Sequence, residues 1–316
     1  MGCSCRKRRP RIKNEELRIF LAEFLGTFVL LTLGNCTVAQ TVLFPRSAAG
    51  FLSINWGYGL AVGFAVYISF KASGGHVNPA ITLGFAVLGL VKWRRVPLYF
   101  LAQILGAFAS SPVVYGFFYD ALNDYDGGNR TVTGPTSTAL IFSLYPPDFV
   151  STWSALGQSV TATIIFLVCI TALVDKRNAN PDPGILPFLV AMVVFACDLA
   201  FGATCMNPAR DLGPRIFTAM AGWGMEVFSF RNYNWFWVPI VGPLVGCVLG
   251  AVMYMLLVEL HWPNEYNMST DAATGVDNEA YITGIDGATE NGGSTSTMKI
   301  INMVNKEGLS STSLYS

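Results

Sequence analysis

Gly74-Gly75-His76-Val77-Asn78-Pro79-Ala80 and Ala203-Thr204-Cys205-Met206-Asn207-Pro208-Ala209-Arg210 are two versions of one unit. Each follows a long apolar segment and opens a short one, which runs to about Gly89 in the first case and Met220 in the second. Asparagine is a favoured helix N-cap, and proline suits the first helical turn, where its missing N–H would have no partner. Alanine is small and lets two helix ends approach. Each unit therefore predicts an extended run, 74–77 or 203–206, leading into a short helix. A lone Asn-Pro-Ala tripeptide means little. Two of them at equivalent places define a repeat.

The flanking segments set the architecture. A helix needs about 20 apolar residues to cross a bilayer. Six segments qualify: 19–43, 51–71, 97–119, 153–174, 185–203 and 235–258. The stretches after Asn78 and Asn207 are too short and read as re-entrant half-helices. Each half then runs span, span, half-helix, span. An odd number of spans per half inserts the halves with opposite orientation. The expected fold class is an all-α membrane protein: six transmembrane helices plus two re-entrant half-helices in an inverted repeat, about 19–119 and about 153–258. Composition agrees. Of 316 residues, 52% are hydrophobic and 13% charged, about half the charge of a soluble domain. That excludes a disordered chain and argues against an ordinary soluble enzyme. Twenty basic and twenty acidic residues cancel, and nothing points to nucleic acid.

Basic residues mark the cytoplasmic side of short loops. Lys92, Arg94, Arg95, Lys176, Arg177 and the basic N-terminus 1–18 fall on one side; Arg46, Arg130 and Arg231 are sparse on the other. Both termini are expected inside and the loop 120–152 outside. The sequon Asn129-Arg130-Thr131 lies in that outer loop and is the glycosylation candidate. Asn35-Cys36-Thr37 is also a sequon, but it lies within a span; Asn267-Met268-Ser269 lies in the tail. Residues 262–316 read as an acidic, disordered cytoplasmic tail, which leaves 19–261 as the channel domain. Seven cysteines, none in a hydrophilic loop, give no disulfide framework. Cys3 and Cys5, beside basic residues, are palmitoylation candidates, against the reading of a plain polybasic segment.

An inverted repeat of this kind places a solute pathway at the interface of its halves, near the midplane. Non-helical backbone at membrane depth is tolerated where it lines a wet cavity. Gly74, Gly75, His76, Val77, Ala203, Cys205 and Met206 are therefore the expected pore-lining backbone, with carbonyls along one wall. Asn78 and Asn207 point into the lumen, and apolar span faces form the other wall. Such a lumen suits a neutral molecule with hydroxyls on one side and carbon on the other. Cations meet two helix N-termini, each carrying about half a positive charge, and the full charge of Arg210.

The paired Asn-Pro-Ala boxes (Asn78, Pro79, Ala80 and Asn207, Pro208, Ala209), with Gly-Gly-His-Val before the first, Met206 through Arg215, and Ala22 through Thr27, resemble the major intrinsic protein family. Gly127 through Pro135 and Phe217 through Gly224 are similar to its aquaglyceroporin branch. The resemblance implies passive conduction of glycerol, water and other small uncharged solutes such as urea. It also implies exclusion of ions and protons, a homotetramer with one pore per subunit, and a multi-pass plasma-membrane location. In such pores an arginine and the half-helix dipoles reject protons and cations. Phe118, Asp211, Arg215, Pro239 and Ile240 match the branch. By position the selectivity filter is Tyr58, Arg210, Thr204 where the branch often has an aromatic, and Phe195 by gapless counting. The stretch 196–201 departs from the branch's glycine-rich pattern. Gln158 stands where some members have Glu, matching Glu23, and keeps the ability to accept from a re-entrant loop.

Other residues admit plainer readings. His76 holds its loop or gates a mouth; no metal partners lie near it. Cys205 lines the pore or acts as a small apolar residue. Lys71 is a gate or, more plainly, an anchor on the positive inner side. Asp198 either snorkels to a headgroup region or faces the vestibule beside Arg210. No cofactor, metal or catalytic constellation is expected, so the chain reads as a non-enzyme. A water-selective channel, a secondary active transporter and a closed adhesion protein remain the alternatives.

Overall fold

A computed structural model describes residues 12–45, 50–202 and 204–262. Ten α-helices occur in them: α1 (Glu15–Leu43), α2 (Phe51–Ser73), α3 (Pro79–Val87), α4 (Val96–Phe117), α5 (Tyr119–Asp126), α6 (Thr152–Val174), α7 (Leu186–Phe201), α8 (Pro208–Met220), α9 (Glu226–Ser229) and α10 (Val238–Leu257). Five of the expected spans, α1, α2, α4, α6 and α10, are long and apolar enough to cross a membrane. The sixth was expected over 185–203 but forms a helix of 16 residues. Gly202, at φ 68°, turns the chain out of the helix, and the described residues from there to Asn207 are non-helical. At about 1.5 Å per residue, α7 alone falls short of a 30 Å hydrocarbon core.

Local chemistry sets the helix ends. Asn14 caps α1 by accepting from the Leu17 amide at 3.1 Å. Gly74, at φ 95°, ends α2 in the left-handed conformation that glycine adopts without penalty. Asn78 and Asn207 cap α3 and α8, each followed by proline in the first turn.

The halves pack alike. In the first, α1 lies on α2 and α4; in the second, α6 lies on α7 and α10. Gly106 of α4 sits against the backbone of Phe24, and Gly246 of α10 sits against that of Val160, where a Cβ would fall 2.5 Å from the carbonyl oxygen. Each half-helix then leans on the third span of the other half: α3 on α10 and α8 on α4. The α2–α7 contact joins the halves again.

The surface is inverted relative to a soluble protein. Leu17, Leu21, Leu25, Phe64, Tyr67, Ile68 and Leu101 are exposed, whereas Glu23, Asn35, Gln103, Thr163, Asp211 and Arg215 are fully buried. Hydrocarbon outside accounts for the first; the buried polar groups sit within an otherwise apolar core. Charged pairs tie the ends. Arg95 reaches Glu15 at 2.8 Å and Glu16 at 3.0 Å. Asp175, just past α6, accepts from Tyr254 at 3.1 Å and Trp262 at 3.2 Å. Burial alone would raise the Asp175 carboxyl, but the Arg177 amide and guanidinium and the Tyr254 hydroxyl hold it below the usual range.

Candidate solute pathway

The two Asn-Pro-Ala boxes meet and lock each other. Asn78 accepts from the Ala80 amide at 2.8 Å through its side-chain oxygen and donates from Nδ2 to the Met206 carbonyl at 2.9 Å. Asn207 accepts from Ala209 at 3.0 Å and donates to the Val77 carbonyl, also at 3.0 Å. Each asparagine thus caps its own half-helix and holds the residue before the other's cap. The adjacent Pro79, Ala80, Pro208 and Ala209 are buried in the first turns.

The backbone before Asn78 is strained. Val77 has φ 45°, unfavourable for a β-branched residue. Its cradle is Glu23. That carboxylate accepts from the His76 amide (3.0 Å), the Val77 amide (2.7 Å), Ser73 Oγ (2.5 Å) and Gln103 Nε2 (2.8 Å). A buried carboxylate is tolerable when its lone pairs are filled this way. His76 pairs with Thr82 Oγ1 at 3.0 Å and stacks on Tyr99, with ring centroids 4.6 Å apart. The histidine therefore braces its loop while also lining the cavity.

Among the described residues, the second half has no carboxylate that accepts from its loop 204–206 in this way. Gln158, expected to take the equivalent place, is exposed on α6, so that expectation is corrected. Its neighbour Ser159 does the holding, donating to the Cys205 carbonyl at 2.7 Å. Cys205 is buried and its Sγ donates to the Pro239 carbonyl at 3.3 Å. Asp211 and Arg215, both fully buried, form a further brace. Arg215 donates to Asp211 through Nε (2.6 Å) and Nη2 (3.0 Å), and to the carbonyls of Leu144 (2.9 Å) and Val227 (2.5 Å). Asp211 also accepts the Leu144 amide at 2.8 Å. This pins the loop 142–145 over α8 and presents the Phe142 carbonyl to Arg210, which donates to it at 2.9 Å.

A cavity of about 340 Å³ runs along the meeting of the halves. Val62, Val66, Phe70, Ile81, Phe166, Ile170, Val190 and Val194 give it an apolar wall. Gly74, Gly75, His76, Val77, Asn78, Thr204, Cys205, Met206 and Asn207 give it a polar one. The expected carbonyl ladder is partly engaged, because Val77, Cys205 and Met206 already accept from Asn207, Ser159 and Asn78. Each carbonyl keeps a second lone pair for a solute. Ala203 lies outside the described residues, as do Cys3, Cys5 and the tail from residue 263 onward.

At one end of the cavity the Arg210 guanidinium sits 5.2 Å from the centre of the Tyr58 ring. Tyr58 donates its hydroxyl to Asn35 at 2.5 Å. Thr204 turns its hydroxyl to the Phe201 carbonyl at 2.8 Å. Tyr58, Thr204 and Arg210 all line the cavity, but Phe195 is not among the lining residues. Its ring stacks on Trp56 with centroids 4.3 Å apart, and its Cβ packs on Gly59. The lining face of α7 is Leu186, Val190, Val194 and Asp198, every fourth residue. Phe195 is one position, or about 100°, away from that face. Asp198 takes the place that counting gave to Phe195.

Among the branch-matching residues, Asp211 and Arg215 form the buried pair, Pro239 supplies the Cys205 acceptor, Phe118 is buried in the core and Ile240 is half-buried. Asn129 is exposed in the turn after α5. Sequence reasoning overlooked Gln103 and Asn55, and read Asn35 only as part of a sequon within a span. A polar side chain within an apolar span was the available signal for each.

A family model described as major intrinsic protein matches residues 11–254. The chain is 48% identical over 271 residues to Aquaporin-10 of Milnesium tardigradum, spanning 80% of this chain and 66% of that protein, just under two thirds. It is 43% identical over 260 residues to Aquaporin-9 of Homo sapiens, covering 81% and 88%. The X-ray structure of the aquaglyceroporin from Plasmodium falciparum superposes with a TM-score of 0.70 at 29% identity, covering 78% of this chain and 98% of that one.

Proposed function

The chain belongs to the major intrinsic protein family, and from that membership we propose that it is a passive transmembrane channel for glycerol, water and other small uncharged solutes such as urea. The crossed contact of Asn78 and Asn207 carries this reading, because it joins two half-helices around a lumen with one apolar and one polar wall. A polyol slides with its carbons on Val62, Val66 and Phe166 and its hydroxyls toward the 74–78 and 204–207 segments. Both asparagine amides, fixed by their own caps, offer polar contact where the half-helix N-termini meet. Arg210 makes one side-chain hydrogen bond to a described residue, the Phe142 carbonyl, which leaves the rest of its donor fork for solute oxygens.

The family is one of channels rather than enzymes. The further reading is a homotetramer in the plasma membrane with both termini cytoplasmic, which places Arg210 at the outer mouth and His76 at the inner. Exposed Asn129 then carries the glycan, and Cys3 and Cys5 carry acyl chains on the inner side.

Labelled-glycerol uptake into proteoliposomes tests the passive mechanism. Entry should stop at the bath concentration and be the same with or without a sodium or proton gradient. Accumulation above the bath concentration would identify a coupled transporter instead.

A further inference from the structure

The sequon Asn129-Arg130-Thr131 is only half open in the folded chain. Asn129 is exposed, but the Thr131 hydroxyl is closed to solvent and has no hydrogen-bond partner among the described residues. The Thr131 carbonyl accepts from the Thr138 and Ala139 amides at 3.3 and 3.4 Å. Arg130, between the two, has a side chain only 5% exposed. It pairs with Asp126 and donates to Asn123 Oδ1 at 2.7 Å. Its guanidinium sits against two rings, 5.4 Å from the centre of Tyr115 and 5.6 Å from that of Trp223. Asp126 in turn accepts from the Thr138 hydroxyl at 3.0 Å. A Cβ on Gly222 would fall 3.2 Å from Arg130 Cγ, so the turn at 222–223 covers the arginine stem.

These covering groups are not made together. Tyr115, Asp126 and Thr138 lie near the sequon in the chain; Gly222 and Trp223 are synthesised only after α6, α7 and α8. A transferase that glycosylates this sequence must reach both the asparagine amide and the hydroxyl two residues on. In that step Asn129 Nδ2 displaces pyrophosphate from the anomeric carbon of a lipid-pyrophosphate-linked oligosaccharide. An N–C bond forms, the C–O bond to pyrophosphate breaks with its electron pair, and one Nδ2 proton passes to a base of the transferase. We infer that Asn129 accepts its glycan only before the Gly222–Trp223 turn closes over Arg130, and that closure withdraws the sequon. Freeing Thr131 afterwards means parting a buried ion pair and two ring contacts, an opening that the folded chain rarely makes. Packing of the second half against the outer loop thus ends the modification. The inference rests on the outward placement of loop 120–152 and on the glycan reading above.

The test makes wild type, Trp223→Ala and Asn129→Gln in microsomes, once with the lipid-linked sugar donor present during synthesis and once without it. Protein made without donor is allowed to fold, checked for monodispersity in detergent, and then given purified transferase and donor. The readout is a mobility shift that an N-glycosidase reverses and that Asn129→Gln lacks. Wild type should be modified during synthesis, and its late modification should be at least about tenfold slower than that of Trp223→Ala, whose loop opens more often. Late modification of folded wild type as fast as that of Trp223→Ala would overturn the closure. If Trp223→Ala fails to assemble, the isosteric Asp126→Asn, which loosens the same clamp, decides by the same criterion. Wild type left unmodified even during synthesis would overturn the glycan reading itself, and the timing with it.

Discussion

Asp211→Ala is expected to cost about 3–5 kcal/mol of stability, the penalty for leaving a buried charge without its partner. Arg215 would remain fully buried with two carbonyl acceptors and no carboxylate. For a domain of this size that corresponds to a fall of roughly 10 °C in thermal midpoint, read as loss of monodisperse protein in detergent. The effect should also reach the pathway. Without Asp211 the Leu144 amide loses its acceptor, and the loop that shows the Phe142 carbonyl to Arg210 loosens. Glycerol flux per folded channel should therefore fall as well. A midpoint within about 2 °C of wild type would show that the pair does not hold α8 to the loop.

Arg210→Val should raise cation entry above that of the wild type. A unit charge about 4 Å from a passing cation opposes it by about 4 kcal/mol at an effective dielectric constant near 20, nearly a thousandfold in occupancy. The half-helix N-termini remain in the variant, each worth about half a charge, so rejection weakens without vanishing. Proton flux into proteoliposomes under an imposed potential should rise by at least tenfold, while the fold persists because Arg210 makes a single hydrogen bond to a described residue. No increase would place the barrier at the Asn78–Asn207 junction alone.

The spans were legible because bilayer thickness imposes a length that apolar runs either meet or miss. The half-helices were legible because Asn-Pro-Ala carries both a cap and a first-turn proline. The early end of α7 was harder to read: Gly202 sits in a run whose only charged residue is Asp198, and its positive φ shows only in the folded backbone. Assigning the fourth filter position failed for a related reason. Counting back from Asn207 gives a distance along the chain, not the rotation of α7. That rotation is set by Gly59 and Gly63 on α2, and it turns Asp198 toward the lumen and Phe195 toward Trp56. Glu23 and Gln158 show the limit of the repeat. The fold is duplicated, but Glu23 accepts two loop amides, whereas the second half uses the serine beside Gln158. Internal symmetry identifies the place to be held and leaves the chemistry of holding to each half.

Light scattering from proteoliposomes after a hyperosmotic glycerol step tests most directly whether the lumen between the two boxes conducts polyols. Fast shrinkage should be followed by fast, protein-dependent reswelling as glycerol enters through the pore. Fast shrinkage with reswelling no quicker than in empty vesicles would contradict glycerol conduction and make the channel water-selective.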